Sequence, residues 1–193
     1  MAKIVLNWFL ASVLTCAIIG ALGCAGSTAS RKAAVERPIP GVVATVAEPQ
    51  SVLAKLKGRP TAIFFWSSWC RVCVSELPSI AQLASAVEPH GVTVISVAMF
   101  DAEADALAAA RRAQFTVPIV LDPLKRLGAS LGVNALPAMI LLDAHGARSL
   151  TMDPESGALT SQVQGPREWR SERVMKFLIE VGETSKDVSA RSK

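Results

Sequence analysis

The chain of 193 residues is poor in the side chains from which metal sites and disulfide frameworks are built, with four cysteines and two histidines. The histidines, His90 and His145, lie far apart, and Cys16 and Cys24 fall in an apolar N-terminal segment. Cys70 and Cys73 are therefore the only close pair in the remainder. A tetrahedral zinc cluster needs four ligands at paired spacings, and half of that set is missing. A stapled scaffold is excluded for a related reason: a bridge between neighbours three apart closes almost no loop and removes little entropy from the unfolded chain. The pair is better explained by chemistry than by stability. Charge of one sign is also scarce. Twenty basic residues against 16 acidic ones leave a dispersed net charge of +4, too mild for a phosphate-binding surface, and nucleic acid is not an expected partner. No internal repeat is present, and the length suits one domain with attachments.

What is there begins with an export signal. From Ile4 to Gly23 the chain is apolar, with Lys3 the only charge and Asn7 the only strongly polar side chain in residues 1–24. About 20 such residues span a bilayer, whereas a cleaved signal needs an apolar region of only ~7 to 15 followed by small residues. The run Ala21-Leu22-Gly23-Cys24 resembles a bacterial lipobox, which makes Cys24 a lipidation candidate and favours a lipoprotein over a retained signal-anchor helix. Either route places the rest of the chain outside the cytoplasmic membrane, tethered to it on the periplasmic face.

Residues 25–40, rich in small and charged side chains with Pro38 and Pro40, read as a flexible tether. Residues 41–184 alternate short β-branched or aromatic runs with longer helical patterns, the signature of an α/β domain with a sheet between helices. Strands are predicted near 42–46, 61–66, 92–99 and 138–142, and helices near 49–57, 71–87, 102–114, 123–131 and 168–182. Val74, Leu77, Ile80, Leu83 and Val87 form one apolar stripe, and Val174, Phe177, Leu178 and Val181 another. The turn signal from Asp143 to Gly146 should reverse the chain into an antiparallel edge strand. Residues 185–193 read as a frayed polar tail.

The apolar strand at 61–66 breaks at Ser67 and Ser68, and a helix starts around Cys70. A sulfur at a helix N-terminus meets unpaired amide N–H groups and the positive end of the helix dipole. Both stabilise a thiolate, lowering its pKa from the ~8.5 of free cysteine toward the ~3.5 to 7.5 of such motifs. Cys70 is thus the expected nucleophile. Cys73, three residues on and on the same helical face, is the expected resolving thiol, and Arg71 adds a favourable charge. Copper delivery through the same soft sulfurs, with Met139 as a further ligand, is the alternative from another class.

These residues resemble the TlpA/ResA-type thiol:disulfide oxidoreductases of the thioredoxin superfamily. The landmarks are Trp69-Cys70-x-x-Cys73-x-x-Glu76-x-Pro78, an inserted strand and helix at about 92–114, the run from Val117 to Asp122, the run from Gly132 to Pro137, and finally Gly165 to Trp169. The resemblance implies a thioredoxin-like fold with a central mixed β-sheet flanked by helices, and a redox-active Cys70–Cys73 disulfide that needs no dissociable cofactor. It implies a cis bond before Pro137, substrate contacts at Trp69, Arg71, Leu136 and Pro137, and a carboxylate, Glu76, that takes or gives the proton of the buried cysteine. It further implies a membrane dithiol as electron donor and an extracytoplasmic disulfide-bearing protein as substrate, of the cytochrome c maturation or copper-site assembly class. A disulfide oxidant or isomerase would use the same thiols in the opposite direction. The dipeptide Arg71-Val72, where this family often carries proline before the second cysteine, and a shortened N-terminal hairpin are departures that bear on redox poise.

Overall fold

A computed structural model describes residues 42–191. The tether and export segment, with Cys16 and Cys24, lie outside the described residues. In chain order the regular elements are β1 (Val42–Thr45), α1 (Pro49–Lys55), β2 (Thr61–Trp66), α2 (Arg71–Val87), β3 (Thr93–Met99), α3 (Glu103–Arg112), β4 (Ile119–Asp122), α4 (Arg126–Ser130), β5 (Ala138–Leu142), four two-residue strands β6 (Arg148–Ser149), β7 (Thr151–Met152), β8 (Leu159–Thr160) and β9 (Val163–Gln164), and α5 (Glu172–Arg191).

The main sheet runs β1-β4-β3-β2-β5-β6, with β9 also paired to β5. β1, β4, β3 and β2 are mutually parallel, and β5 lies antiparallel to β2 in the register Phe65↔Ala138. Every residue of β2 and β5 is buried, as expected for strands covered on both faces, whose sequences become continuous apolar runs. Alternation along the strands separates two cores. Ala62, Phe64 and Trp66 of β2 pack with Leu77, Ile80 and Leu83 of α2, with the alanines of α3 and with Val174 and Leu178 of α5. Ile63 and Phe65 face the opposite side, against Val52 of α1 and Leu127 and Leu131 near α4. Both predicted helical stripes are core faces.

Differences from the sequence reading lie at boundaries and short strands. β4 is a sheet strand that periodicity did not single out: four residues just after Pro118 are too few to show a period, and pairing with β3 and β1 makes them a strand. The reversal at Asp143 to Gly146 does lead to antiparallel β6. The largest difference is at the C-terminus, where α5 continues through Arg191 and residues 185–191 are helical rather than a frayed tail. Tertiary contacts hold that end. Lys186 Nζ donates to the Pro89 carbonyl at 2.8 Å and Glu183 meets His90 Nδ1 at 3.0 Å, while Gly182 brings the helix so close to the His90 carbonyl that a Cβ there would strike it.

Candidate functional site

β2 delivers the chain to the site. At its C-terminal end the run of buried side chains stops and the backbone turns through Ser67 to Trp69 before α2 begins. Asp101, buried just past β3, holds this turn: Ser67 Oγ donates to its Oδ1 at 3.0 Å, Ser68 Oγ to the same oxygen at 2.7 Å, and the Ser68 N–H to Oδ2 at 2.7 Å. Nothing in the sequence marks Asp101. Standing just ahead of α3, it reads as an ordinary helix-capping aspartate, yet it makes no capping bond to α3.

Cys70 then occupies the N-cap of α2 with extended backbone angles, and its sulfur accepts the Cys73 N–H at 3.2 Å. A sulfur in the place of a capping oxygen receives one of the amide groups that a helix start leaves unpaired. The two cysteines form a disulfide with Cα atoms 5.2 Å apart. Cys70 is half-buried and Cys73 wholly buried, so an incoming partner reaches the first sulfur and not the second. Trp69 is 65% exposed beside this opening; Arg71 and Val72 are also exposed. Trp66, by contrast, is wholly buried, edge-on to Phe115.

Glu76, one turn beyond Cys73, is also buried. Its Oε1 accepts the Arg167 N–H at 2.6 Å and its Oε2 the Trp169 indole N–H at 3.1 Å. Burial pushes its pKa above the ordinary carboxylate value, against the opposing pull of the Trp169 bond, the Arg167 N–H and the Arg167 charge. Glu76 is thus a carboxyl that holds its proton more tightly than usual, one helical turn from the buried Cys73 sulfur. Both donors come from the segment Gly165 to Trp169, which was visible in the sequence as a motif but not as a partner of Glu76.

Leu136-Pro137 is a cis peptide. Because Ala138 pairs with Phe65, Pro137 lies across from the end of β2 that leads to the dithiol, and its carbonyl accepts the Gly165 N–H at 2.9 Å. Leu136 is half-buried between the two cores. Fold and register thus bring Trp69, Cys70, Cys73, Glu76 and Pro137 to one end of the sheet. Met139 is buried inside β5, His90 pairs with Glu183, and His145 stands in the turn after β5. A cavity of about 620 Å³ between that turn and α5, lined by Pro60, His145, Phe177 and Val181 among others, opens at the N-terminal end of β2, the opposite end from the dithiol.

This fold and this helix-capping disulfide define a thioredoxin-like protein with a Cys-x-x-Cys redox centre. The model of the AhpC/TSA family matches residues 35–147, more than half of the chain, and the chain belongs to that family. Among curated relatives, the thiol-disulfide oxidoreductase ResA of Geobacillus thermodenitrificans is 29% identical over 94 residues, covering 49% of this chain and 54% of the relative. The match therefore spans about half of that protein. The sporulation thiol-disulfide oxidoreductase A of Bacillus subtilis is 27% identical over 128 residues, 65% of this chain and 74% of the relative. Among solved structures, MTB dsbF in its mixed oxidized and reduced forms superposes with a TM-score of 0.52 at 25% identity, over 64% of this chain and 84% of that one. The ResA-type resemblance and the thioredoxin-like fold read from the sequence agree with these relatives.

Proposed function

We propose that this chain is a thiol:disulfide oxidoreductase that reduces disulfides of partner proteins outside the cytoplasmic membrane. The observation that carries this reading is the asymmetry of the pair: an accessible Cys70 sulfur capping a helix and a fully buried Cys73 one turn away. In the reduced protein the Cys70 thiolate attacks one sulfur of the target disulfide, forming a mixed disulfide and releasing the other target sulfur as a thiolate that takes up a proton. Cys73 then loses its proton to Glu76, attacks the Cys70 sulfur and expels the second target thiolate. Two electrons have passed to the target, and Cys70–Cys73 is oxidised. Exposed Trp69 and Arg71, with Leu136 and Pro137, form the wall against which the target segment lies.

Regeneration requires a dithiol of lower potential, which for an exported chain is a membrane protein drawing on cytoplasmic reductant. Relatives named thiol-disulfide oxidoreductase ResA and sporulation thiol-disulfide oxidoreductase A support the oxidoreductase chemistry of the pair. An apocytochrome c or a copper-site assembly protein is the proposed substrate class, and Cys24 is the proposed lipid attachment point. Replacing Cys73 by Ser should accumulate a mixed disulfide on Cys70 with the substrate, recoverable by non-reducing electrophoresis and identifiable by mass spectrometry. A redox titration of the full chain gives the direction: a potential below about −230 mV fits a reductase, and one near −120 to −180 mV would replace it by an oxidant or isomerase.

A further inference from the structure

The segment from Gly165 to Trp169 is absorbed by no step above, although it touches both halves of the site. Its first residue donates to the Pro137 carbonyl, its third and fifth donate to the two oxygens of Glu76, and the Trp169 ring stands edge-on to Phe64 with centroids 6.2 Å apart. It is a strap laid across the buried side of the dithiol helix. What tensions it is Arg167. The guanidinium donates Nε–H to Asp153 Oδ2 at 3.1 Å and an Nη1 proton to the Pro166 carbonyl at 2.7 Å, so one planar group binds the hairpin β7–β8 and the strap's own backbone. Asp153 is itself held, its Oδ1 accepting from the N–H groups of Glu155 and Ser156 and from Ser156 Oγ at 2.8 to 3.0 Å. These bonds keep its carboxyl at a pKa of about 2.

We propose that Arg167, clamped by Asp153, is a positioning residue: it pins the strap whose N–H groups hold the Glu76 carboxyl in place, one helical turn from Cys73. The inference rests on the reading of Glu76 as the proton carrier and deepens it. Glu76 is bonded by the Arg167 N–H and the Trp169 indole, Cys73 and the exposed Arg71 are the other titratable residues of this end of its helix, and the Arg167 guanidinium meets the carboxylates of Asp153 and Glu155, the latter 3.8 Å from Nη1. The sheet side of that core contributes Phe64 and Met139, neither titratable. Arg167 thus acts mainly through the strap it pins, whose indole and main-chain N–H groups oppose the effect of burial more than its own charge does. Without it burial acts less opposed, Glu76 keeps its proton to higher pH, and fewer molecules at neutral pH hold the carboxylate that accepts the Cys73 proton.

The test is carried out on the full chain in the oxidised state, with the Glu76 carboxyl carbon followed by NMR through a pH titration. Arg167→Ala, which unpins the strap and loosens its two N–H bonds to the carboxyl, should move its midpoint upward. Asp153→Asn should move it in the same direction by less, because the amide oxygen still accepts from Arg167, and Arg167→Lys should return part of the shift by re-forming the contact to Asp153 without the fork. A midpoint unchanged in Arg167→Ala, with the fold intact by circular dichroism, overturns the proposal, as does a full shift in Arg167→Lys equal to that of Ala. In parallel, the rate of peptide-disulfide reduction is measured against pH. If Glu76→Gln leaves that profile as in the parent, the proton-carrier reading fails on its own, while the carboxyl titration still decides the part played by Arg167.

Discussion

Two buried carboxylates lie near the dithiol, Asp101 bonded to the turn before Cys70 and Glu76 one helical turn beyond Cys73, and they are held in different ways. Asp101 is engaged by the turn that precedes Cys70, taking three hydrogen bonds from Ser67 and Ser68. Those donors stand next to the residue they serve, so Asp101 shapes the backbone that presents Cys70. Glu76 is reached instead by one main-chain and one indole N–H from a distant strap, and burial still pushes its pKa upward. The difference separates two tasks: Asp101 shapes a backbone turn through three hydrogen bonds, whereas Glu76 is held by two bonds from a distant strap in a site whose burial raises its proton affinity.

The comparison breaks most sharply through stability. Asp101→Ala strands the buried Ser67 hydroxyl and the Ser68 N–H, and the expected loss is about 2 to 4 kcal/mol in a urea unfolding curve. Glu76→Gln keeps one acceptor and should lose clearly less. Equal losses for the two variants would erase the distinction between a carboxylate that anchors a turn and one held by a distant strap.

A second test uses pH. Because the folded protein holds the Glu76 proton more tightly than the unfolded chain does, the folded state binds more protons above the ordinary carboxylate value. That contribution to stability is fully present below about 4.5 and is lost as pH rises through the folded pKa. Asp153 has the opposite sign: its contribution is present above 3.8 and disappears as pH falls toward about 2. Stability curves between pH 4 and 8 should therefore fall less steeply in Glu76→Gln than in the parent, and an identical slope would show that burial does not perturb Glu76.

The smallest expected effect belongs to the Asp101 side. Phe100 holds a left-handed backbone at φ 59° while its ring is 51% exposed, a conformation that costs a bulky residue of the order of 1 kcal/mol or more. Phe100→Gly relieves this but loosens the unfolded chain, so a net gain of about 1 kcal/mol or less is expected in thermal unfolding. A loss larger than that would show that the exposed ring contributes packing.

Much of the scaffold was legible because it is written in short-range pattern. β2, β5 and α2 match their predicted spans, since continuous β-branched and aromatic runs bounded by Pro60, Ser67 and Asp143, and a helical stripe from Leu77 to Val87, need no distant partner to be recognised. β4 was too short to show its period, and the end of α5 was misread because its polar surface conceals what anchors it, the Pro89 carbonyl that meets Lys186 from 97 residues away.

The same physics divides the site. The spacing of Cys70 and Cys73, at a strand-to-helix junction, was determined by the sequence alone, because three residues at a helix start bring two sulfurs onto one face; that Cys73 is buried was decided by the core packed over it. Asp101 comes to the Ser67–Ser68 turn from a neighbouring strand, 33 or 34 residues away. Arg167 and Trp169 reach Glu76 across separations of 91 and 93 residues. Hydrogen bonds over such distances in the chain leave no local pattern, since any aspartate, arginine or tryptophan could occupy those positions for other reasons. Only the closing of the sheet, which sets the ends of β2, β3 and β5 side by side and lays the strap across α2, decided which of them would face the dithiol.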